Sequence, residues 1–437
     1  MAKEKNIVDS EEWIEIGDTS VKEGKYDEAI HCYTKAIGIN PRAAFAYFKR
    51  GSVLMTLENL REAMNDFNNA ITLNPNFSFA YFKRGCIYVE FRNFKKAISD
   101  LDAAIELNNQ VPFAYYKRGY SYYVLRDLEK AISDFTKSIE LNSTYTLAFL
   151  HRGNCFFEQK NYERAIEDYH KAISLDPHEE KAYLSRGLAF ANLKKYKEAI
   201  IDYTNVLKIN PESLMAYNYR GLIYNGTKQF DKAVIDFLRV IELNPNLPDA
   251  YNNLGIAYFA NKEYEKAIDI YNKALDLSAN SAIIYFNRAN AHFNLKRFID
   301  AIIDYDKAIE LQPNLHSPYF GRANANVALQ QYKEALKDLA KVITINNKFY
   351  PAYILRGNIW VKLKQIKRAL EDYTLAIEIN PTIESAYINR GIAFKTEGRI
   401  EEAIQDFNEY LRISQRKDAN SIKVKQWIKK LGYEPLY

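Results

Sequence analysis

The sequence predicts an all-α chain built as a stack of short helix pairs, and three observations lead there. The first is a repeated hexapeptide. AYFKRG occupies residues 46–51 and recurs unchanged at 80–85, with AYYKRG at 114–119, a spacing of 34 residues. The second is an alanine that keeps the same interval from Ala29 through Ala63, Ala97 and Ala131 to Ala403, with no insertion or deletion. Counted from nineteen residues before each alanine, twelve repeats tile residues 10–417, from 10–43 and 44–77 to 384–417. The third is the spacing of apolar positions inside a repeat. Positions 4, 8 and 11 share one helical face and positions 20, 24 and 27 another, so each repeat holds two amphipathic helices.

Each element of the repeat has a physical reason. Position 4 is aromatic in all twelve repeats, from Trp13, Tyr47 and Tyr81 to Tyr387. Position 8 is Gly in ten, from Gly17 to Gly391, and Ala289 or Ala323 in the others. Small residues there and at position 20 let two helices approach closely, with aromatic rings filling the space beside them. Proline is frequent at position 32, as in Pro41, Pro75 and Pro177, where it stops the second helix. A lone helix pair cannot bury both faces, so neighbours must stack. These residues resemble the tetratricopeptide repeat (TPR) family. The resemblance implies a right-handed superhelix whose first helices line a concave channel. Residues 1–9 precede the array as a short extension. Residues 418–437 carry Val424, Trp427, Ile428 and Leu431 on one helical stripe and Lys423, Lys425, Lys429 and Lys430 on the other. An amphipathic helix covering the last repeat is expected, with a basic docking helix as the alternative.

Position 7 is Arg in ten repeats, and the same ten have Asp at position 23. The pairs are Arg50–Asp66, Arg84–Asp100, Arg118–Asp134, Arg152–Asp168, Arg186–Asp202, Arg220–Asp236, Arg288–Asp304, Arg322–Asp338, Arg356–Asp372 and Arg390–Asp406. The two repeats without Arg, at Ile16 and Leu254, also lack Asp, having Cys32 and Ile270. This covariation predicts a salt bridge between the two helices of each repeat. Such pairs fix register more than they add stability.

On the first helix, positions 2, 5, 9 and 12 form a second stripe, which the resemblance puts on the channel wall. In repeats 2–5 it reads Phe45, Phe48, Met55; Phe79, Phe82, Cys86, Val89; Phe113, Tyr116, Tyr120, Tyr123; Leu147, Leu150, Asn154, Phe157. An apolar face of this extent marks a binding surface unless the rings pack on one another. Lys49, Lys83 and Lys117, then His151, edge it at position 6. An aromatic trough rimmed with lysine suits an extended protein segment carrying bulky apolar and some acidic residues. The second half changes character, with Asn218, Asn225, Asn252, Asn253, Asn287, Asn290, Asn324, Asn358 and Asn389 on the same side. An asparagine offers donor and acceptor and can pair with a peptide backbone whatever its sequence. The resemblance adds a similar asparagine ladder in O-linked N-acetylglucosamine transferase. Family members that hold heat-shock chaperone tails use a carboxylate clamp with Lys at position 5, and no repeat here has it.

Composition narrows the function classes. Sixty basic and 55 acidic residues nearly balance, which gives no basic surface for nucleic acid. No apolar run approaches the roughly 18–20 residues that span a bilayer, and the start, MAKEKNIVDSEEW, has no signal core. A cytoplasmic location is the default expectation. Cys32, Cys86 and Cys155 make no disulfide framework and no metal spacing. GLIYNGTK at 221–228 has Thr and Lys in the wrong order for a phosphate loop. No enzyme, cofactor or metal is expected. The reading is a non-catalytic interaction scaffold with a partner segment in the groove. The alternatives are a component of a larger assembly held by its convex face or ends, and a substrate-presenting adaptor subunit.

Overall fold

The computed structural model describes residues 9–414 and 419–437. Most of the expected N-terminal extension, the end of the last repeat and Asp418 lie outside the described residues. Among these residues there are 25 helices and no strand. First helices begin at position 1 of each repeat and run 13 residues, as in Ala44–Thr56. Second helices begin at position 17 and run 14, as in Leu60–Leu73, except the last, Ile400–Ser414, which runs 15. The fold is therefore all-α, in consecutive pairs. The chain forms two compact units, one ending at Ala216 and the other beginning at Tyr217. In both, first helices of neighbouring repeats lie closer together than second helices do, so the first helices form the inner face.

Close approach inside a pair depends on position 8. A Cβ added to Gly255 would stand 2.4 Å from Cε1 of Tyr271, on the second helix of the same repeat. The turn between the two helices shows a feature absent from the sequence expectation. Its position 15 has positive φ in every repeat, yet only Gly24 and Gly398 are glycine there. Glu58, Arg92, Lys160 and Lys262 adopt φ between 56° and 65°. Backbone bonds over-determine the conformation, as when Glu58 N–H donates to Met55 O at 3.2 Å and Asn59 N–H to Leu54 O at 2.9 Å. The second helix is ended less by proline than by its capping residue. Asn40, Asn108 and Asn346 each accept a bond from the backbone two residues on, at 3.0, 3.0 and 3.1 Å. Asn108 and Asn346 do so with no proline following, so the side chain itself makes the turn.

The Arg–Asp pairs lie within repeats and are bidentate. Arg84 Nε and Nη2 donate to Asp100 at 2.7 Å each, and Arg50 does the same to Asp66 at 2.8 Å. Each guanidinium also stacks on the position-4 ring of its own helix, Arg84 on Tyr81 at 5.6 Å and Arg288 on Tyr285 at 5.4 Å. In most of the pairs the remaining Nη1 crosses to the second helix of the preceding repeat. Arg50 reaches Thr34 at 3.0 Å, Arg84 reaches Asn68 at 2.7 Å, and Arg288 reaches Asn272 at 2.6 Å. One side chain thus ties three helices. Burial pushes the Asp134, Asp168, Asp202 and Asp406 carboxyls above the ordinary range despite the arginine bonds. Pairing offsets their desolvation without exceeding it.

Repeat 8 replaces the whole arrangement with apolar residues. Leu254 stands for the arginine and is fully buried, Ile270 stands for the aspartate, and Leu238 stands for the acceptor in repeat 7. At the far end, helix Ala419–Lys430 buries Val424 and Ile428 against Phe407, Tyr410 and Leu411, with its four lysines exposed. The helix after Asn408, Ala419–Lys430, carries no arginine, and Asn408 Oδ1 instead accepts the Leu436 N–H at 3.0 Å.

Two variants separate register from stability. Asp100→Ala leaves the Arg84 charge half-buried and unpaired, and it should cost about 3 kcal/mol in urea denaturation. Replacing the triad together, Asn68→Leu/Arg84→Leu/Asp100→Ile, copies repeat 8 and should stay within about 1 kcal/mol of the parent. Equal destabilisation of the two would contradict this account.

Candidate functional site: the inner face of the first unit

The aromatic stripe divides into two rows with different surroundings. Position 2 projects outward: Phe45, Phe79 and Phe113 are 48%, 47% and 47% exposed, one per repeat. Two of them pack on rings from the segment that follows, Phe45 against Phe77 at 6.3 Å and Phe113 edge-on to Tyr145 at 4.9 Å. Position 5 points between helices. Phe48 is wedged among Phe45, Phe67 and Phe77, and Phe82 is half-buried. Tyr116, expected on the groove wall, is only 7% exposed, held by Tyr145 at 4.8 Å and Phe135 at 5.8 Å. Leu150 is buried too, as are Cys86 and Val89. These side chains fill the space where neighbouring first helices converge, so they are packing rather than contact surface. Phe157 stacks edge-on against Tyr162 at 5.3 Å.

The polar rim is partly internal. Lys49 pairs with Asp18 at 3.0 Å and lies over the Phe45 ring at 5.0 Å. Lys117 pairs with Glu90 at 3.4 Å. Lys83 has no ion-pair partner among the described residues. Tyr123 donates its hydroxyl to Glu158 at 2.7 Å, and the Tyr169 hydroxyl donates to Asn154 at 2.9 Å. His151 is enclosed by the rings of Tyr120, Tyr116, Phe135 and Tyr123 at 5.4 to 6.2 Å. Its Nδ1 is buried without a hydrogen-bond partner. Burial, and then the charge of Lys181, push its imidazole down to about 4. Beside it lies a cleft of about 510 Å³. Burial raises the Cys86 thiol to about 11, so it is an inert core group.

In the second unit the asparagines bond largely to one another. Asn253 donates to Asn218 at 3.1 Å, Asn287 to Asn252 at 3.0 Å, and Asn389 to Asn358 at 3.0 Å. Asn290 accepts from Tyr305 and Asn358 from Tyr373, at 2.7 and 2.8 Å. Asn324 bonds back to Phe320 O at 2.8 Å. An asparagine ladder presented to a peptide is therefore largely closed on itself. Asn225 Oδ1 is buried without a partner. The sequence pattern also missed a cleft of about 250 Å³ walled by Phe286, Phe293, Phe320 and Phe349. Its signal was present, since Phe286 and Phe320 repeat at position 5. Among the described residues no cluster of His, Cys, Asp or Glu is arranged to hold a metal ion. No helix among them is long and apolar enough to cross a membrane.

Family models described as tetratricopeptide repeat match residues 46–77, 80–111, 112–145, 147–179, 180–213, 248–281, 282–315, 350–383 and 384–417. A model described as TPR repeat matches 17–58 and 224–262. The chain belongs to the tetratricopeptide repeat family. Among solved structures it is similar to a TPR protein from Parabacteroides merdae (20% identity, 57% of this chain and 98% of that one, TM-score 0.48). It is also similar to a chain of the APC/C hetero-tetramer Cut9–Hcn1 (12%, 96% of both, TM-score 0.46). Yeast Tom70 is a third (17%, 95% and 99%, TM-score 0.40). No curated protein matches.

The TPR array makes the ring around His151 testable by pH. A histidine held down to about 4 in the folded chain binds its proton more readily when unfolded, where the ordinary value is about 6.5. Stability should therefore be full above about pH 6.5 and fall as pH drops towards 4, by at most about 3 kcal/mol. The groups facing the imidazole are Lys181 and the rings of Tyr116, Tyr120, Tyr123 and Phe135. In His151→Phe, the urea midpoint should change less between about pH 7 and pH 4.5 than in the parent. Identical pH dependence in both proteins would contradict this.

Proposed function

We infer that the chain is a non-catalytic scaffold that holds an extended segment of a partner protein on the inner face of repeats 2–5. Tetratricopeptide repeat proteins generally mediate protein–protein interactions. The observation that carries the finer reading is the row of Phe45, Phe79 and Phe113. Three rings at the same repeat position stay half exposed although burial would favour them, and two of them, Phe45 and Phe113, are already packed against a following ring. Pre-packed aromatic anchors with little rotamer freedom left to lose are what a peptide groove uses as hot spots.

One observation favours the alternative of an assembly component held by its outer face. Ile201, Ile235 and Ile303 occupy position 22 of second helices in repeats 6, 7 and 9 and are 59–65% exposed. Most other repeats have a polar residue there, such as Asn65, Ser99, Glu167 or Lys337.

The test compares capture of cellular proteins by the parent, by Phe45→Ser/Phe79→Ser/Phe113→Ser, and by Ile235→Ser/Ile303→Ser. Position 2 is chosen because Phe48, Phe82 and Tyr116 support packing, so changing them would confound binding with folding. The first variant should keep its helical circular dichroism and lose at least about tenfold in bound partner. Retention there, with loss in the second variant, would favour the outer-face reading instead.

A further inference from the structure

We propose that the cleft on the inner face of repeats 3 to 6 is a site for an acidic side chain of the bound segment, an aspartate or glutamate carboxylate beside a bulky apolar residue. This rests on the inner-face reading above and adds the chemistry of what is recognised.

The cleft, about 510 Å³, has a floor and walls of Val89, Phe94, Val124, Leu147 and the Tyr116 ring. Its charged lining is unbalanced. Arg92, Lys117 and Lys181 border it, and Glu90 is the only acid among its lining residues. Glu90 answers Lys117 at 3.4 Å, a long and half-exposed contact. Glu158, the other acid nearby, is already engaged by the Tyr123 hydroxyl at 2.7 Å and by Arg126. His151, also in the lining, is neutral at physiological pH, because burial and the Lys181 charge hold its pKa down to about 4. It therefore adds no positive charge, yet its buried Nδ1 has no partner, which is a cost in a native protein unless something fills it. The Tyr120 hydroxyl, on the same wall, has no partner among the described residues either. Two ammonium groups, a guanidinium and a phenol hydroxyl all donate, and a carboxylate only accepts. An apolar side chain next to it would meet Leu147 and the exposed face of Phe113.

The same positions in other repeats sharpen the assignment. Position 6 carries Lys49, Lys83 and Lys117 in repeats 2–4, but Asn253, Asn287, Gly321, Leu355 and Asn389 in repeats 8–12. Position 2 of repeat 6 is Lys181, where repeats 2–5 have Phe or Leu. The cations gather beside the exposed phenylalanines. Lys49 is neutralised by Asp18 at 3.0 Å. Lys83 and Lys181 have no ion-pair partner among the described residues and Lys117 has only the longer Glu90 contact, which favours an anionic group there.

Fluorescence anisotropy with two labelled probes tests this on the full chain. One probe is a short peptide alternating glutamate with leucine and phenylalanine, and the other has glutamine at every glutamate. The parent should bind the glutamate probe about tenfold more tightly, the size expected for one charge-assisted contact. Added salt should shrink that ratio. Lys117→Gln/Lys181→Gln should bring the two probes to equal affinity while leaving glutamine-probe binding unchanged. A control with the same charge change elsewhere, Lys333→Gln/Lys337→Gln, should keep the preference, and circular dichroism checks the fold of both. Equal binding of the probes by the parent, binding of neither, or a preference that survives Lys117→Gln/Lys181→Gln would each overturn the site. The inner-face reading fails separately, through retention of partners by the phenylalanine variant.

Discussion

The arginine at position 7 is the constraint on which the remainder of the array depends. Its guanidinium has enough donors to bind a carboxylate with two and still reach a third helix, while its flat face covers the position-4 ring. A lysine could hold the aspartate, but as a point donor it could not also lie on the tyrosine and reach Thr34 or Asn68. The bridge therefore sets three relations at once: the angle within a pair, the seat of the ring, and the stagger between one repeat and the next. Because it is largely shielded from water, an arginine without its aspartate would be expensive, and the two residues are present or absent together. At Asp134, Asp168, Asp202 and Asp406, where burial raises the carboxyl despite the arginine, the bridge specifies geometry more than it adds stability.

That logic explains which features were legible in the sequence. The period, the helix pairs and the within-repeat Arg–Asp pairing could all be read because each imposes a fixed residue type at a fixed spacing. The third partner of the arginine was missed because position 25 needs only some acceptor. Thr34, Asn68, Asp102, His170 and Asn272 serve alike, so no single residue type marks the position. A signal did exist in the exception, since Leu238 stands before the one internal repeat without arginine. Arg356 has no such acceptor at all, because Ala340 occupies the place, and it keeps only Asp372.

The inner face was less legible, for a different reason. A helical wheel assigns Tyr116 and Phe113 to the same stripe, but it knows nothing of the neighbouring repeat. Where first helices converge, position 5 is closed over by the next helix and position 2 is left open. The asparagines mislead in the same way. Several at position 31 cap second helices, and others bond to the asparagine or tyrosine of an adjacent element, so a residue type that could address a ligand addresses the protein instead. The ten left-handed residues at position 15 escaped because glycine is the usual signature and here it occurs only at Gly24 and Gly398. A full set of turn hydrogen bonds lets Glu, Arg, Lys and Gln adopt the conformation.

What distinguishes the inner face of repeats 2–6 is therefore not the count of aromatic residues, which is high throughout, but what remains unpaired after the fold has taken its share. In the second unit, polar inner positions find one another, and the aromatic residues of repeats 9 and 10 wall a small cleft without cations. In the first, three phenylalanines stay half exposed, and lysines outnumber the acids within their reach. His151 keeps a buried nitrogen with no partner. A scaffold needs its repeats identical where they touch each other and different where they touch something else. Position 7 and position 23 obey the first requirement in ten repeats. Positions 2 and 6 vary along the array, and only in repeats 2–4 does an exposed phenylalanine at the first accompany a lysine at the second; that run is the strongest reason to locate recognition there.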